Sequence, residues 1–581
     1  MEDFIPLSYK HIFSGDRPSL ESLLVGIPTK PLLYCLCKIN FELYFEPSNG
    51  DIQFQLLDYW LKGFEQRSKA YIKYKVSAYM ESFKDRALFF GKRYILEFFN
   101  YLFEHYNDLP ERKLLPSEIS NTFIAYLVIT EQCNEKDKAL FPEDEKKKSL
   151  EELEEASWPF LMNQFECNHT PVHETEVLKL FSAIAFILKE GDFRKYLDEY
   201  MGLNGLPTIG HLVNSAIALI TNQNNNYDNN TFQNRYPILY ATKKADRLEN
   251  LSLDYQYFQN NISENVYYKL FKERPLIKLH DNDYAIIDFA FLKCKIYTGF
   301  IFDLYYETSF KEDVNYPKFD KFKSQISKHV LEENIFTKLL RNILTNEGVE
   351  PYFEANESIS IPDCYFRVGN KIFFLEFKDY LLRGDIFQSY SYKDIKKAID
   401  AKFVTGTSGI PQLKAQVNNL IGKKFTFDGN LDYNDNLTIY PIIVHTNFAF
   451  SCPGIQQYLN RQLVAQLSDS VIPSNLEMKE LILMDLNIFL LHFYNLKERN
   501  DLLADLIERY FSNARQRTDI FNKNDSLDPI SYSEAFQSFD IEYFSVFKKE
   551  AIPHQLGFLK ILEDITGISQ KAMNYPKDDE L

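Results

Sequence analysis

Up to about residue 310, apolar positions recur mostly every three or four residues, the period of a helix with one buried face. Between Asp51 and Phe103 that period is sustained, in LLDYWLKGF and again in RALFFGKRYILEFFNYLF. Further helices are expected over 174–188 and 208–221, and FAFLKCKIYTGFIFDLYYE reads as one aromatic helix. Two places break the pattern. FELYFEPSNGDIQFQL alternates on both sides of Asn49-Gly50, which predicts a short β-hairpin. PLIKL and YAIID flank the turn-forming run His280-Asp281-Asn282-Asp283, which predicts a second hairpin over Pro275 to Asp288. Residues 134–156 are dense in charge and predict an exposed helix or linker. Thr221 to Asn234, TNQNNNYDNNTFQN, reads as a polar low-complexity loop. No repeat at solenoid spacing is visible.

After residue 310 the pattern changes. An amphipathic helix is expected over 319–344, then Gly348 and the extended stretch YFEANESISIPDCYF. Val368-Gly369-Asn370-Lys371 reads as a turn, and IFFLEFKDYLL as a buried strand. A helix over Tyr392 to Phe403, a Gly/Thr-rich break, a second helix over Pro411 to Ile421 and the buried strand LTIYPIIVHTN follow. Beyond residue 472, KELILMDLN predicts a strand, and LLHFYNL and NDLLADLIERYF predict helices. This order predicts an α/β core, a mixed sheet flanked by helices, joined to a largely α-helical N-terminal region. We expect a helical accessory or recognition region over 1–310, the α/β core over 311–471, and a mostly helical extension of that core over 472–581. Single hydrophobic cores stop growing beyond roughly 250–300 residues, so a chain of 581 residues should hold several.

Composition narrows the function classes. The 45% apolar and 25% charged content is that of a globular protein. A net charge of −17 argues against a general nucleic-acid coat, whose affinity for phosphate comes from Lys and Arg. Locally the sign reverses: Gly369 to Phe425 holds ten Lys or Arg against five Asp or Glu. The seven cysteines are sparse and odd in number, unlike a secreted disulfide scaffold. The beginning MEDFIPLSYK has no apolar signal core, and the richest apolar stretch, Leu481 to Tyr494, is interrupted by Asp485, Asn487 and His492. A cytoplasmic protein without a membrane span is expected.

The candidate chemistry sits at the end of one strand. Alternation puts Glu376 and Lys378 on one side with Ile372 and Phe374, and Phe373, Leu375 and Phe377 on the other. A strand apolar on both faces that ends in a carboxylate and an ammonium is anomalous, because burying unpaired charge is costly. Pro362-Asp363 stands thirteen residues before Glu376. Two carboxylates on adjacent strands beside an ammonium suit phosphodiester hydrolysis. The carboxylates hold a divalent cation that activates water, and the ammonium orients that water or offsets developing charge. Hard oxygen ligands favour Mg²⁺ or Mn²⁺.

Here the sequence resembles the PD-(D/E)xK nuclease superfamily, the restriction-endonuclease-like fold, over about 150 residues. The resemblance implies that Asp363 and Glu376 ligate metal with the Phe377 carbonyl, and that Lys378 positions the nucleophilic water. It implies a helix glutamate, Glu332 or in the alternative register Glu333, from Leu331-Glu332-Glu333-Asn334-Ile335. It also implies a polar residue on the helix after the third strand: Gln412, with Gln416 and Lys414 behind it; Lys393 and Lys396 are further candidates for contacts to nucleic acid. The superfamily's Gln-x-x-x-Tyr variant is not met, since Gln412 is followed at that spacing by Gln416.

Other signals carry less. CNHTPVH, with Cys167, His169 and His173, and the Cys35/Cys37 pair lack a zinc-site spacing. His445, at the end of IIVHTN, reads as a core or rim histidine near the site. No phosphate-binding G-x-x-x-x-G-K-[ST] loop and no G-x-S-x-G elbow occur. The expected activity is metal-dependent cleavage of nucleic acid, DNA before RNA, in a setting such as restriction or antiphage defence. Any protein partner or self-association is expected to use the N-terminal region. The rival readings are a non-catalytic scaffold with a degenerate nuclease core and an RNA-directed nuclease.

Overall fold

The computed structural model describes residues 5–46, 50–83, 87–140, 149–167, 170–241, 246–280, 282–344, 349, 351–353, 361–387, 389–523, 529–551 and 558–567. Among them are eleven strands in three sheets. β1 (Ile5–Pro6) and β2 (Ala87–Leu88) form a short parallel pair. β3 (Ile238–Tyr240), β4 (Leu276–His280) and β5 (Asp283–Ile286) form an antiparallel sheet in the order β3-β5-β4, so the second expected hairpin is present. Its turn residue Asp281 lies outside the described residues.

The large sheet contains β6 (Tyr352–Phe353), β7 (Cys364–Val368), β8 (Lys371–Lys378), β9 (Leu437–His445), β10 (Leu476–Met478) and β11 (Ile482–Asp485). Its order is β10-β9-β8-β7-β6, with β11 also on β9, and it mixes antiparallel β6/β7/β8 with parallel β8/β9, β9/β10 and β9/β11 pairs. β10 and β11 are one edge strand in two pieces, paired with successive stretches of β9. Gly369, at φ +59, makes the tight β7–β8 turn, a conformation that costs glycine little.

Both faces of this sheet are covered, which explains why β8 and β9 read as nearly unbroken apolar runs. Phe373, Leu375 and Phe377 enter a core with Tyr440, Ile442 and Val444 and with Ile335, Phe336 and Leu340 of helix 319–344. Ile372 and Phe374 enter another core, with Ile439, Ile443 and residues of the crossover helices Tyr392–Phe403, Ile410–Ile421 and Ile455–Gln466. A third core, built around Leu36, Trp60, Phe99 and Tyr126, belongs to the N-terminal helices and the small antiparallel sheet. The boundary near residue 310 is crossed by two of these cores. Helix Leu150–Cys167 puts Leu153, Trp158 and Leu161 under the sheet, and helix His173–Lys189 packs with the helix over 319–344.

Several expectations need correction. FELYF and DIQFQL lie in the helices Thr29–Phe45 and Gly50–Leu61, not in a hairpin; Pro47 to Asn49 lie outside the described residues. The first of these helices is buried on nearly every side, from Leu32 through Tyr44, so it carries no helical stripe to read. The Asn-rich stretch from Thr221 continues the helix Ile209–Asn229. Tertiary contacts hold it there: Asn226 donates to the Tyr236 carbonyl at 2.7 Å, and Tyr227 stacks on Phe45 at 4.0 Å. In the charge-rich segment 134–156, residues 141–148 are outside the described set, and beyond them Glu154 is only 2% exposed and pairs with Arg461. The single aromatic helix is two, Phe289–Cys294 and Thr298–Tyr306. Among the described residues no helix is long and apolar enough to cross a membrane.

Candidate active site at the strand ends

Lys378, His445 and Asp485 end β8, β9 and β11 in one register row, at the carboxyl ends of three parallel strands. Open α/β sheets bind ligands at such ends. Asp363 immediately precedes β7, one step beyond the last Cys364–Leu375 pair, and so stands across from Glu376. Its Oδ2 accepts the Phe377 backbone N–H at 2.7 Å and lies 3.3 Å from Lys378 Nζ. Lys378 Nζ is also 3.2 Å from Glu376 Oε2. The ammonium therefore bridges two carboxylates that arrive from neighbouring strands.

The three side chains are 10%, 1% and 8% exposed for Asp363, Glu376 and Lys378. Burial alone would pull the Lys378 ammonium below its ordinary range, but the carboxylates of Asp363 and Glu376 outweigh it and hold the group above that range. Lys378 is consequently charged at neutral pH. In this arrangement it is suited to orienting a nucleophile or offsetting negative charge, and not to removing a proton.

Among the described residues no group of three or more His, Cys, Asp or Glu side chains is placed to hold a metal ion. Mg²⁺ needs fewer, since it keeps several waters and is often bound through one or two carboxylates plus substrate phosphate. Asp363 and Glu376 supply two hard oxygen donors on one face, so their chemistry fits such a cation.

The remaining expected residues are spread more widely. Glu332 is half-buried in the π-helical stretch Ser327–Thr337. Phe336 of that stretch stacks on Phe377 at 4.9 Å, so this helix covers the face of β8 opposite the one carrying Glu376 and Lys378. Glu333 is exposed and sits 2.8 Å from His329. Gln412 is engaged locally: its Oε1 accepts the Gly409 N–H at 3.0 Å and caps its own helix. Gln416 is buried and Lys414 half-buried on that helix. Lys396 pairs with Asp400 at 3.1 Å, while Lys393 faces solvent.

A second polar group adjoins the first, and only His445 of it was singled out from the sequence. His445 Nε2 lies 2.9 Å from Asp540 Oδ2, which also accepts from Ser451 Oγ at 2.5 Å. Asp540 Oδ1 accepts the Asp485 N–H at 2.8 Å, and Asp485 Oδ1 accepts the Asn487 N–H at 2.7 Å. His445 and Asp540 are fully buried. Burial would lower the imidazole, but Asp540 and Asp485 hold it above its ordinary range. Asp485 is pushed up to about 6, chiefly by burial and with Asp540 adding, against the opposing pull of His445. On the other face of the strand ends, Asp379 pairs with Lys323 and accepts from Thr446 Oγ1 at 2.5 Å. Asp485 was legible by the signal that found Glu376, an acid ending an apolar strand; Asp540 comes from a distant helix with no local signal. Compared with family models, curated proteins and solved structures, the chain matches none.

Proposed function

We propose that this chain hydrolyses phosphodiester bonds with a divalent cation, most simply in DNA, through a core of the PD-(D/E)xK type. The observation that carries the reading is the meeting of Asp363, Glu376 and Lys378 within 3.3 Å contacts of one ammonium at the strand ends. Asp363 and Glu376 would hold Mg²⁺ or Mn²⁺, with the Phe377 carbonyl as a further oxygen; the cation would supply an activated water and a counter-charge for the phosphate. Lys378, kept protonated by its carboxylate neighbours, would orient the attacking water and offset charge on the phosphoryl oxygens. Water would add to phosphorus and lose a proton to solvent, the bridging P–O bond would break, and the leaving oxygen would take a proton from solvent. Glu332 remains a proposed outer carboxylate. A place in restriction or antiphage defence is carried only by the habits of the superfamily.

The experiment is to incubate the full chain with plasmid, linear duplex DNA, single-stranded DNA and RNA, with Mg²⁺ or Mn²⁺ and a chelator control. Glu376→Gln and Lys378→Ala should each abolish metal-dependent cleavage while circular dichroism stays unchanged. Full activity in either variant overturns the assignment, and cleavage of RNA alone transfers it to the RNA-directed reading. One observation favours a second reading: with Glu376 1% exposed and both carboxylates closed on Lys378, the trio also suits a clamp between β7 and β8. A clamp predicts no cleavage of any substrate under any cation.

A further inference from the structure

In the N-terminal core, apart from the two cores that cover the large sheet, helix Gln66–Phe83 reverses the sign of this acidic chain. From Lys62 to Lys75 the sequence KGFEQRSKAYIKYK holds Lys62, Arg67, Lys69, Lys73 and Lys75 against Glu65 alone. The helix buries one narrow stripe, Ile72, Val76 and Tyr79, at i, i+4 and i+7. Its other faces are left to cations and to two tyrosines, Tyr71 at 43% and Tyr74 at 70% exposure. Tyr71 is fixed, since its hydroxyl donates to the Ile12 carbonyl at 3.1 Å and Lys75 Nζ lies 5.7 Å from its ring centre. Lys73 is partly spoken for by Asp58, at 2.8 Å.

We infer that this helix is a docking surface for single-stranded nucleic acid, with Arg67 and Lys75 against the phosphates and Tyr74, on the same face, stacking on a base. Its choice of partner rests on the phosphodiesterase reading, but the physics is local. Cations spaced along one helix match a phosphate backbone, and an exposed ring beside them gives a sequence-tolerant stacking platform. A duplex, whose bases are already stacked, offers the ring much less.

The test measures binding of the full chain to a fluorescein-labelled dT20 oligonucleotide by anisotropy, in chelator so that no strand is cut, across a salt series. Arg67→Glu/Lys75→Glu should weaken binding at least tenfold and flatten the dependence on salt, by roughly 0.7 in log–log slope for each lost contact. Tyr74→Ala should weaken binding roughly fivefold or more at every salt concentration without changing the slope. Arg67 and Tyr74 are exposed and Lys75 is half-buried at the helix surface, so circular dichroism should be unchanged in both variants. No binding by the native chain, native affinity in the double variant, or tighter binding to the matching duplex overturns the proposal. Loss of cleavage in Glu376→Gln with dT20 binding intact separates this surface from the active site. If dT20 binds through the helix while no substrate is ever cut, the catalytic reading fails and the surface stands.

Discussion

Two buried charge clusters share one end of one sheet, and they differ in how they were built. Asp363, Glu376 and Lys378 lie within sixteen residues of sequence, and two of them keep a window on solvent near a tenth of their surface. His445, Asp485 and Asp540 span almost a hundred residues and are sealed; Asp540 meets the His445 ring, the Ser451 hydroxyl and the Asp485 N–H together. In the first cluster Lys378 is shared by Asp363 and Glu376, and Asp363 and Lys378 keep some reach to solvent. In the second, each described bond ties a different piece of chain to Asp540, an arrangement that holds the strand ends in place. The difference teaches that buried charge at strand ends is not by itself a sign of catalysis: what separates the two clusters is their reach to solvent.

The comparison breaks most visibly at Asp540. Asp540→Ala leaves a buried imidazole, a hydroxyl and a backbone N–H without their acceptor and should cost about 3–5 kcal/mol in denaturant unfolding. Loss below about 1 kcal/mol would remove the clamp. Next, Lys378→Met leaves Asp363 and Glu376 facing each other without their counter-ion and should cost about 2–3 kcal/mol. Mn²⁺ should restore part of that loss, chelator should remove the restoration, and Asp540→Ala should show no comparable rescue. A Lys378→Met protein indifferent to Mn²⁺ would mean that the carboxylates do not accept a cation.

Asp485 sharpens the contrast by pH. Its folded value of about 6 lies above the ordinary carboxylate range, so the folded state holds that proton more tightly than the unfolded chain. The stability it contributes is present below about pH 4 and is lost as pH rises toward 6. His445, also raised, contributes stability present below about pH 6.5 and lost above it, so both groups act in the same direction. Asp485→Asn should match the native protein near pH 4 and exceed it by about 1–2 kcal/mol at pH 8, as read by urea unfolding at both values. Equal stability at pH 8 would contradict the burial of an ionising group. The smallest effect is expected of Ser451→Ala, about 1 kcal/mol, because Asp540 keeps its other donors.

Legibility followed the range of the forces involved. β8, its turn at Gly369, the crossover helices and the pairing of Glu376 with Lys378 across one residue were all readable, because alternation and turn chemistry act within a few positions. The Thr29–Phe45 helix was misread because burial on most sides erases periodicity, and the Asn-rich end of Ile209–Asn229 because its support comes from Tyr236 and Phe45. Glu332 and Gln412 were placed by resemblance, and in the structure Gln412 makes a local capping bond.

By itself the sequence determined which stretches become buried strands and that Glu376 and Lys378 must share a face, since a period of two residues allows nothing else. Only the tertiary structure decided that Asp363 reaches the same ammonium, and that a distant aspartate locks His445 beside it. Those meetings depend on which strands pair and which helix closes the sheet. That choice is made by summed apolar burial over the whole chain, a non-directional force that leaves no mark on any one residue.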